Sequence, residues 1–439
     1  MVAATAADLL DPKSPAYKKA KRNYLKTTRN RPEHIHEEWT PFRAAEKKYK
    51  ARFPPPDLSE VLDLAAADES RAEEVKRGGW TGRPDAFEWR ELPLTQEDPK
   101  GKKKAYVFPD IPGLVLLPSF LSHEEQRRLV RWSLREHSRH PNETNLDTHY
   151  ILPSEGLWNA YLNSRQVGEP EHIVPPRATY LDPSTVATKE TSGPRQLVSN
   201  EPASKSNLAT LSSDPKLPAP PSLTVKPLPP SSLISKLRWA NIGWYYHWGT
   251  KQYDFKRGKI EVDEHLKEVC RTAVNLVPWQ EVFGPEGSEG WDIDEDWRTW
   301  GESYEPDAGI VNFYQTKDTL MAHVDRSEVC TTTPLVSISL GSAAIFLIGG
   351  LTRDTPPKAI LLRSGDVVIM SGPQCRRAYH GVPRILEGTL PPHFVSENDG
   401  VDEKGGKDLE WEPYEEYLRT TRINVNVRQV FPKGFTPPL

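Results

Sequence analysis

The chain has 439 residues, of which 42 are Pro, 27% are charged and 36% are hydrophobic. That composition fits one catalytic core with inserts and an extension, and the three cysteines exclude a disulfide framework or a zinc knuckle, which points to a reducing compartment. The net charge of −4 is unevenly placed: residues 13–52 carry thirteen Lys or Arg against four Glu, a basic arm on an acidic body that suits an anionic partner.

From the N-terminus, Asp8 and Asp11 with no apolar stretch argue against secretion and match a mitochondrial presequence poorly. Nucleus or cytoplasm is the expected location, with the mitochondrion left open. The basic arm reads either as an RNA-contacting segment or as a solvated basic helix. Residues 53–105 mix Pro with acidic and basic clusters, carry a short helical pattern at Leu58 to Ala67, and are expected to wrap the body.

Gly113 to Leu117 is an apolar strand, and Ser122-His123-Glu124-Glu125 matches the capping box of a helix reaching about His137. Residues 181–236 are rich in Pro, Ser and Thr and contain no Phe, Trp or Tyr, so a disordered insert is expected there. Structure resumes at Trp239, with Trp244, Tyr245, Tyr246 and Trp248 close behind. Leu266, Val269, Cys270, Ala273 and Val274 then repeat at helical spacing.

Strands follow at Ala308 to Tyr314, Leu335 to Leu340, Ala343 to Ile348, Ala359 to Leu362, Val367 to Met370 and Arg422 to Val430. Short strands with Gly- and Pro-rich turns suggest an α+β chain whose core is a double-stranded β-helix, the jelly roll, backed by helices. No apolar run reaches the length of a membrane span. Between Leu386 and Arg419 an acidic insert is expected to loop away from the metal site.

Two constellations carry chemistry. In an extended strand His323 and Asp325 point to one face, and with His380 they make two His and one carboxylate, a set that leaves coordination positions open as non-haem Fe(II) oxygenases require. Near the C-terminus Arg422, Asn424, Asn426 and Arg428 share one strand face while Ile423, Val425 and Val427 share the other. That pattern is either a surface strand or, if buried in a barrel, a row of donors suited to a small dicarboxylic acid.

Together with Asn312-Phe313-Tyr314, Gly349-Gly350-Leu351-Thr352-Arg353-Asp354 and Ser364-Gly365-Asp366-Val367-Val368, these pieces resemble the AlkB family of Fe(II)/2-oxoglutarate dioxygenases. The likeness is closest to its homologue-one branch, through His323-Val324-Asp325-Arg326-Ser327-Glu328, Ile369-Met370-Ser371-Gly372 and Val427-Arg428-Gln429-Val430, and spans about Pro41 to Phe431. The resemblance implies Fe(II) on His323, Asp325 and His380, and 2-oxoglutarate on Asn312, Tyr314, Arg422, Asn424 and Arg428. It further implies substrate contacts from Trp158, Trp244, Tyr246 and Arg353, with Trp239 as a further aromatic candidate.

The implied activity is oxidative demethylation of nucleobases in methylated tRNA or DNA by a monomer that needs O2 and no membrane. A protein hydroxylase of the same fold and a non-catalytic RNA-binding protein are the competing readings. The implied organisation is an extension over 1–105, the start of the catalytic domain over 106–180, the insert over 181–236 and the oxygenase core over 237–432.

Overall fold

β-Branched and aromatic runs with two-residue alternation build two sheets, and these hold the rest of the chain. The computed structural model describes residues 6–28, 39–95, 103–177, 201–222, 224–284, 291, 297–395, 410–432 and 434–435. In chain order the strands begin with β1 (Val61–Leu62), β2 (Arg90–Leu92), β3 (Ala105–Val107), β4 (Leu114–Leu117), β5 (Trp239–Gly243), β6 (Tyr246–His247), β7 (Gln252–Tyr253) and β8 (Ala308–Gln315). They continue with β9 (Leu320–His323), β10 (Leu335–Gly341), β11 (Ala344–Ile348), β12 (Lys358–Leu362), β13 (Val367–Met370), β14 (His380–Ile385) and β15 (Thr421–Arg428).

The larger sheet runs β2-β3-β4-β13-β10-β15-β8-β5 and the smaller β1-β12-β11-β14-β9, while β6 and β7 pair separately. Leu114, Leu116, Leu335, Val368 and Met370 of the larger sheet bury against Phe346, Ile348, Ile360, Leu362 and Val382 of the smaller. This is the jelly-roll core expected from the short strands.

Helices cover the outer face of the larger sheet. Ile423, Val425 and Val427 of β15 pack with Leu129 of helix His123–Arg131, Leu266 of helix Glu264–Asn275 and Leu418 of helix Glu412–Leu418. The capping box that opens the first of these is complete: the Glu125 N–H donates to Ser122 Oγ at 3.2 Å, and the Ser122 N–H to Glu125 Oε2 at 2.8 Å.

The smaller sheet is covered from the N-terminus. The helices there are α1 (Ala6–Leu10), α2 (Pro15–Thr28) and α3 (Pro41–Lys50). Phe42 and Tyr49 of α3 join Leu58 and Trp80 over Ile345, Leu347 and Leu361.

Two expectations change. The helical pattern at Leu58 to Ala67 is instead β1 followed by a 3-10 turn, because Val61 and Leu62 pair in parallel with Ala359 and Ile360. Sheet pairing outweighs local periodicity in so short a segment.

Of the insert over 181–236, residues 181–200 and 223 lie outside the described residues, but the others have defined places in the fold. Leu208 is buried with Trp244, Tyr253, Phe255 and Phe431, the Ala203 N–H donates to Arg326 O at 2.8 Å, and Leu233 is buried in helix Pro230–Ile234. Composition counts only the apolar surface within a segment, whereas this one completes a core that other segments supply. In the acidic stretch after Leu386, residues 396–409 are likewise outside the described residues. Its flanks are packed, with Phe394, Trp411, Tyr414 and Leu418 buried in the helical layer behind the larger sheet.

Candidate active site

The two inner sheet faces diverge around a cleft of about 560 Å³. From the smaller sheet, β9 and β14 set His323 directly opposite His380, with ring centroids 4.3 Å apart. Asp325 follows just past the end of β9, and its Oδ1 lies 3.7 Å from His323 Nε2. All three groups offer ligand atoms within 4.8 Å of one another, close enough to share one ion.

The ring nitrogens are assigned by the backbone. His323 Nδ1 lies 2.9 Å from Met321 O and His380 Nδ1 lies 3.1 Å from Ala378 O. Each Nδ1 therefore carries the proton and each Nε2 is bare, as a metal ligand must be. Burial lowers the His380 pKa to about 4, with His323 adding to the shift, so the ring is neutral near pH 7. Burial works to raise the Asp325 pKa, but Arg428, His380 and His323 override it and hold the carboxyl far below its usual range. Gly381 lets the two strands meet, since a Cβ there would lie 2.9 Å from Leu320 O.

The larger sheet supplies the acid-binding wall. Asn312 and Tyr314 of β8, and Arg422, Asn424, Asn426 and Arg428 of β15, all line the cleft. Arg422 is 1% exposed, donates from Nη2 to Ser339 Oγ at 2.9 Å, and has no partner at Nε or Nη1. Among the described residues no carboxylate pairs with it. Burial lowers its pKa to about 10, with Tyr314 working against that shift, so it stays cationic near neutral pH. A buried guanidinium with two free donor sites calls for an anion, and the distal carboxylate of 2-oxoglutarate fits that need. Asn424 holds the wall by donating to Ser337 Oγ at 2.8 Å and Ile338 O at 2.9 Å.

Arg428 is committed elsewhere. Its Nη1 bonds Asp325 Oδ2 at 3.0 Å and Glu328 Oε1 at 2.9 Å, so it steadies a metal ligand from behind. Six residues of strand span about 20 Å, which is why the two arginines serve opposite ends of the cleft. The sequence reading missed Glu328, 1% exposed, which also accepts from the Tyr253 hydroxyl at 3.2 Å. It missed Arg377 too, which donates to Asp325 O at 2.6 Å. Glu328 and Arg377 each lie three residues from a ligand, Asp325 and His380 respectively, so inspection of the charges flanking the ligands was the available signal.

The proposed substrate residues separate. Tyr246 and Arg353 line the cleft. Trp158 does not: it is 2% exposed and packs 4.9 Å from Tyr414 in the helical layer behind the larger sheet. Trp244 does not either, being 8% exposed, wedged between Phe255 and Phe431 and bonded through Nε1 to Asp307 Oδ2 at 3.1 Å. Trp244 and Tyr246 part because Gly243, at φ +69°, ends β5 and turns the chain. Trp239 lies in β5 and stacks on Trp248 at 4.8 Å, and it is Trp248, 40% exposed, that lines the cleft.

Fe(II) on His323, Asp325 and His380 with 2-oxoglutarate supplies O2 activation when bound, and the free Arg422 donors together with the two bare Nε2 atoms fit that pair. The chain's own part is to hold the acid at Arg422, keep the His380 imidazole neutral and shield the cleft between two packed sheets.

Comparison with known proteins agrees. Residues 196–428 match the family model described as the 2OG-Fe(II) oxygenase superfamily. The chain is similar to the Arabidopsis thaliana DNA N(6)-methyladenine demethylase ALKBH1A, 28% identical across 89% of this chain and 96% of that one. It is similar to the Schizosaccharomyces pombe tRNA demethylase abh1, 28% identical across 89% and 96%. It also matches the Cryphonectria parasitica N6-methyladenosine RNA demethylase ALKBH, 31% identical across 44% of this chain and 76% of the relative. With more than half its length under the family model and the iron and acid walls facing each other in one cleft, the chain belongs to the 2OG-Fe(II) oxygenase superfamily and, within it, to the AlkB homologue one family of dioxygenases.

Proposed function

We propose that this dioxygenase oxidises N-methyl groups on nucleobases of tRNA or DNA, and that the hydroxylated product releases formaldehyde. The observation that carries the reading is the mouth of the cleft. Trp248 lies there half-exposed against Trp239, with Tyr246 edge-on at 5.1 Å and Lys251 and Arg353 on the same rim. Aromatic faces beside cations suit an unstacked base and its phosphates, each stack contributing about 1–3 kcal/mol. A base inside a duplex cannot reach iron in such a cleft, so the substrate is unpaired or flipped.

The basic arm supports the same class of partner. Helix α2 has no buried residue and exposes Lys18, Lys19, Lys21, Arg22 and Lys26. The names of the similar proteins, a DNA, a tRNA and an RNA demethylase, point to nucleic acid and divide over which kind. We place the protein as a monomer in the nucleus or cytoplasm, where its three buried thiols stay reduced.

The test is nucleoside mass spectrometry of total tRNA and of methylated DNA, before and after incubation with the full-length protein, Fe(II), 2-oxoglutarate and O2. Loss of one methylated nucleoside with matching formaldehyde is expected. Decarboxylation of 2-oxoglutarate that leaves every nucleoside unchanged, or that a protein stimulates and nucleic acid does not, overturns the nucleobase reading in favour of protein hydroxylation.

A further inference from the structure

The strand that carries His323 lies at the edge of its sheet, and the N-terminal extension closes that edge. β9 is the last strand of the smaller sheet and, among the described residues, pairs only with β14, through a register broken between His380 and Val382. His323 pairs toward β14, so Ala322 turns its N–H and C=O to the open side. Both are taken. The Ala322 N–H donates to Glu46 Oε1 at 2.6 Å, and Ala322 O accepts from Arg353 Nη2 at 3.2 Å.

Glu46 belongs to α3 and is 4% exposed, unusual for a carboxylate; its Oε2 accepts from Arg43 Nη1 at 3.0 Å. The same helix reaches the other histidine strand. The Phe42 N–H donates to Arg353 O at 3.2 Å, and the Phe42 ring lies 6.5 Å from that of Tyr379. One helix of the extension thus touches the residue before each histidine ligand.

We propose that Glu46 is a positioning residue of the iron site, a buried carboxylate that fixes the β9 backbone at Ala322 and so holds His323 opposite His380. A four-residue edge strand bonded on one side frays readily, and a ligand on a frayed strand must be ordered at the moment the metal binds. The charge-assisted bond from Glu46 removes that cost beforehand. The N-terminal extension is then part of the metal centre as well as a basic arm. This inference rests on the iron reading of His323, Asp325 and His380 and is independent of which nucleic acid is oxidised.

The test is Mn(II) titration calorimetry of the full-length apoprotein with 2-oxoglutarate present, alongside amide exchange across Leu320–His323 and the melting temperature. Glu46→Ala is expected to weaken Mn(II) binding about tenfold or more, the usual effect of losing a group that orients a ligand, and to speed exchange at Ala322. Glu46→Gln, which keeps the acceptor oxygen, should recover most of the affinity. If the Ala variant does not fold, Glu46→Asp withdraws the oxygen by one methylene and should shift both readouts the same way. Arg52→Ala serves as control, because Arg52 ties the extension to Glu387 at 3.2 Å and to Thr316 O at 2.7 Å without touching Ala322. Unchanged Mn(II) affinity in Glu46→Ala overturns the proposal, as does equal weakening in Arg52→Ala. Failure of the unaltered protein to bind Mn(II) would overturn the iron reading itself, a separate outcome.

Discussion

The two ends of β15 carry the same residue type in opposite states. Arg422 and Arg428 are 1% and 6% exposed, and both line the cleft. Arg428 faces two carboxylates, and although burial works to lower its pKa, Tyr253, Asp325 and Glu328 raise it well above the ordinary value. Arg422 faces a hydroxyl and a ring, and burial lowers its pKa. A buried cation already neutralised by the protein is scaffold, while one left without an anion is a binding site waiting for its ligand.

Removing each charge should therefore do opposite things. Arg428→Met strands Asp325 and Glu328 as buried carboxylates, so it should cost about 3–5 kcal/mol of stability and lower 2-oxoglutarate turnover by about 10–100-fold through the displaced ligand. Denaturant unfolding and single-turnover assays of the one variant check both. Equal stability with and without Arg428 breaks the contrast.

Arg422→Met removes an unpaired charge instead. The apoprotein should be at least as stable as the unaltered one, yet it should lose the thermal shift that 2-oxoglutarate gives, which amounts to about 2.7 kcal/mol at a hundredfold excess over Kd. Arg422→Lys, a point charge in place of a planar fork, should raise the 2-oxoglutarate requirement strongly without lowering stability. A retained thermal shift in Arg422→Met means the acid binds elsewhere.

A pH series sharpens the comparison. In the unaltered protein Asp325 titrates far below its unfolded value of about 3.9, so its contribution is complete above that value and lost only as pH falls beneath it. In Arg428→Met the same buried carboxyl lacks that cation and its folded pKa rises, so the folded state gains stability relative to the unfolded as pH falls. The stability gap between the two proteins should narrow between about pH 7 and about pH 5, and a constant gap there would sink the assignment of the loss to stranded carboxylates.

The smallest effect carries the contrast to the aromatics. Trp248→Ala should lower turnover on a methylated oligonucleotide about tenfold, the weight of one stacked base, while uncoupled 2-oxoglutarate decarboxylation and melting temperature hold. Trp244→Ala should cost about 3–5 kcal/mol of stability and reduce both activities together.

The sequence by itself determined the elements whose signal is local. Alternation in β15 showed which side chains share a face, the Ser122 to Glu125 spacing marked a helix start, and His323, Asp325 and His380 with Arg422 to Arg428 were legible as an iron and acid-binding set. Periodicity and spacing are properties of a few consecutive residues, so they survive without knowledge of the fold. Tertiary structure alone decided what stands across from each face. Glu328, 100 residues before Arg428, neutralises it; Ser339 does not neutralise Arg422. Glu46, 276 residues before Ala322, closes the edge beside an iron ligand, and a single positive φ at Gly243 sent Trp244 to the core and left Trp248 at the mouth. Pairing, burial and charge compensation depend on distances between segments far apart in the chain, and those distances exist only once the two sheets have closed on each other.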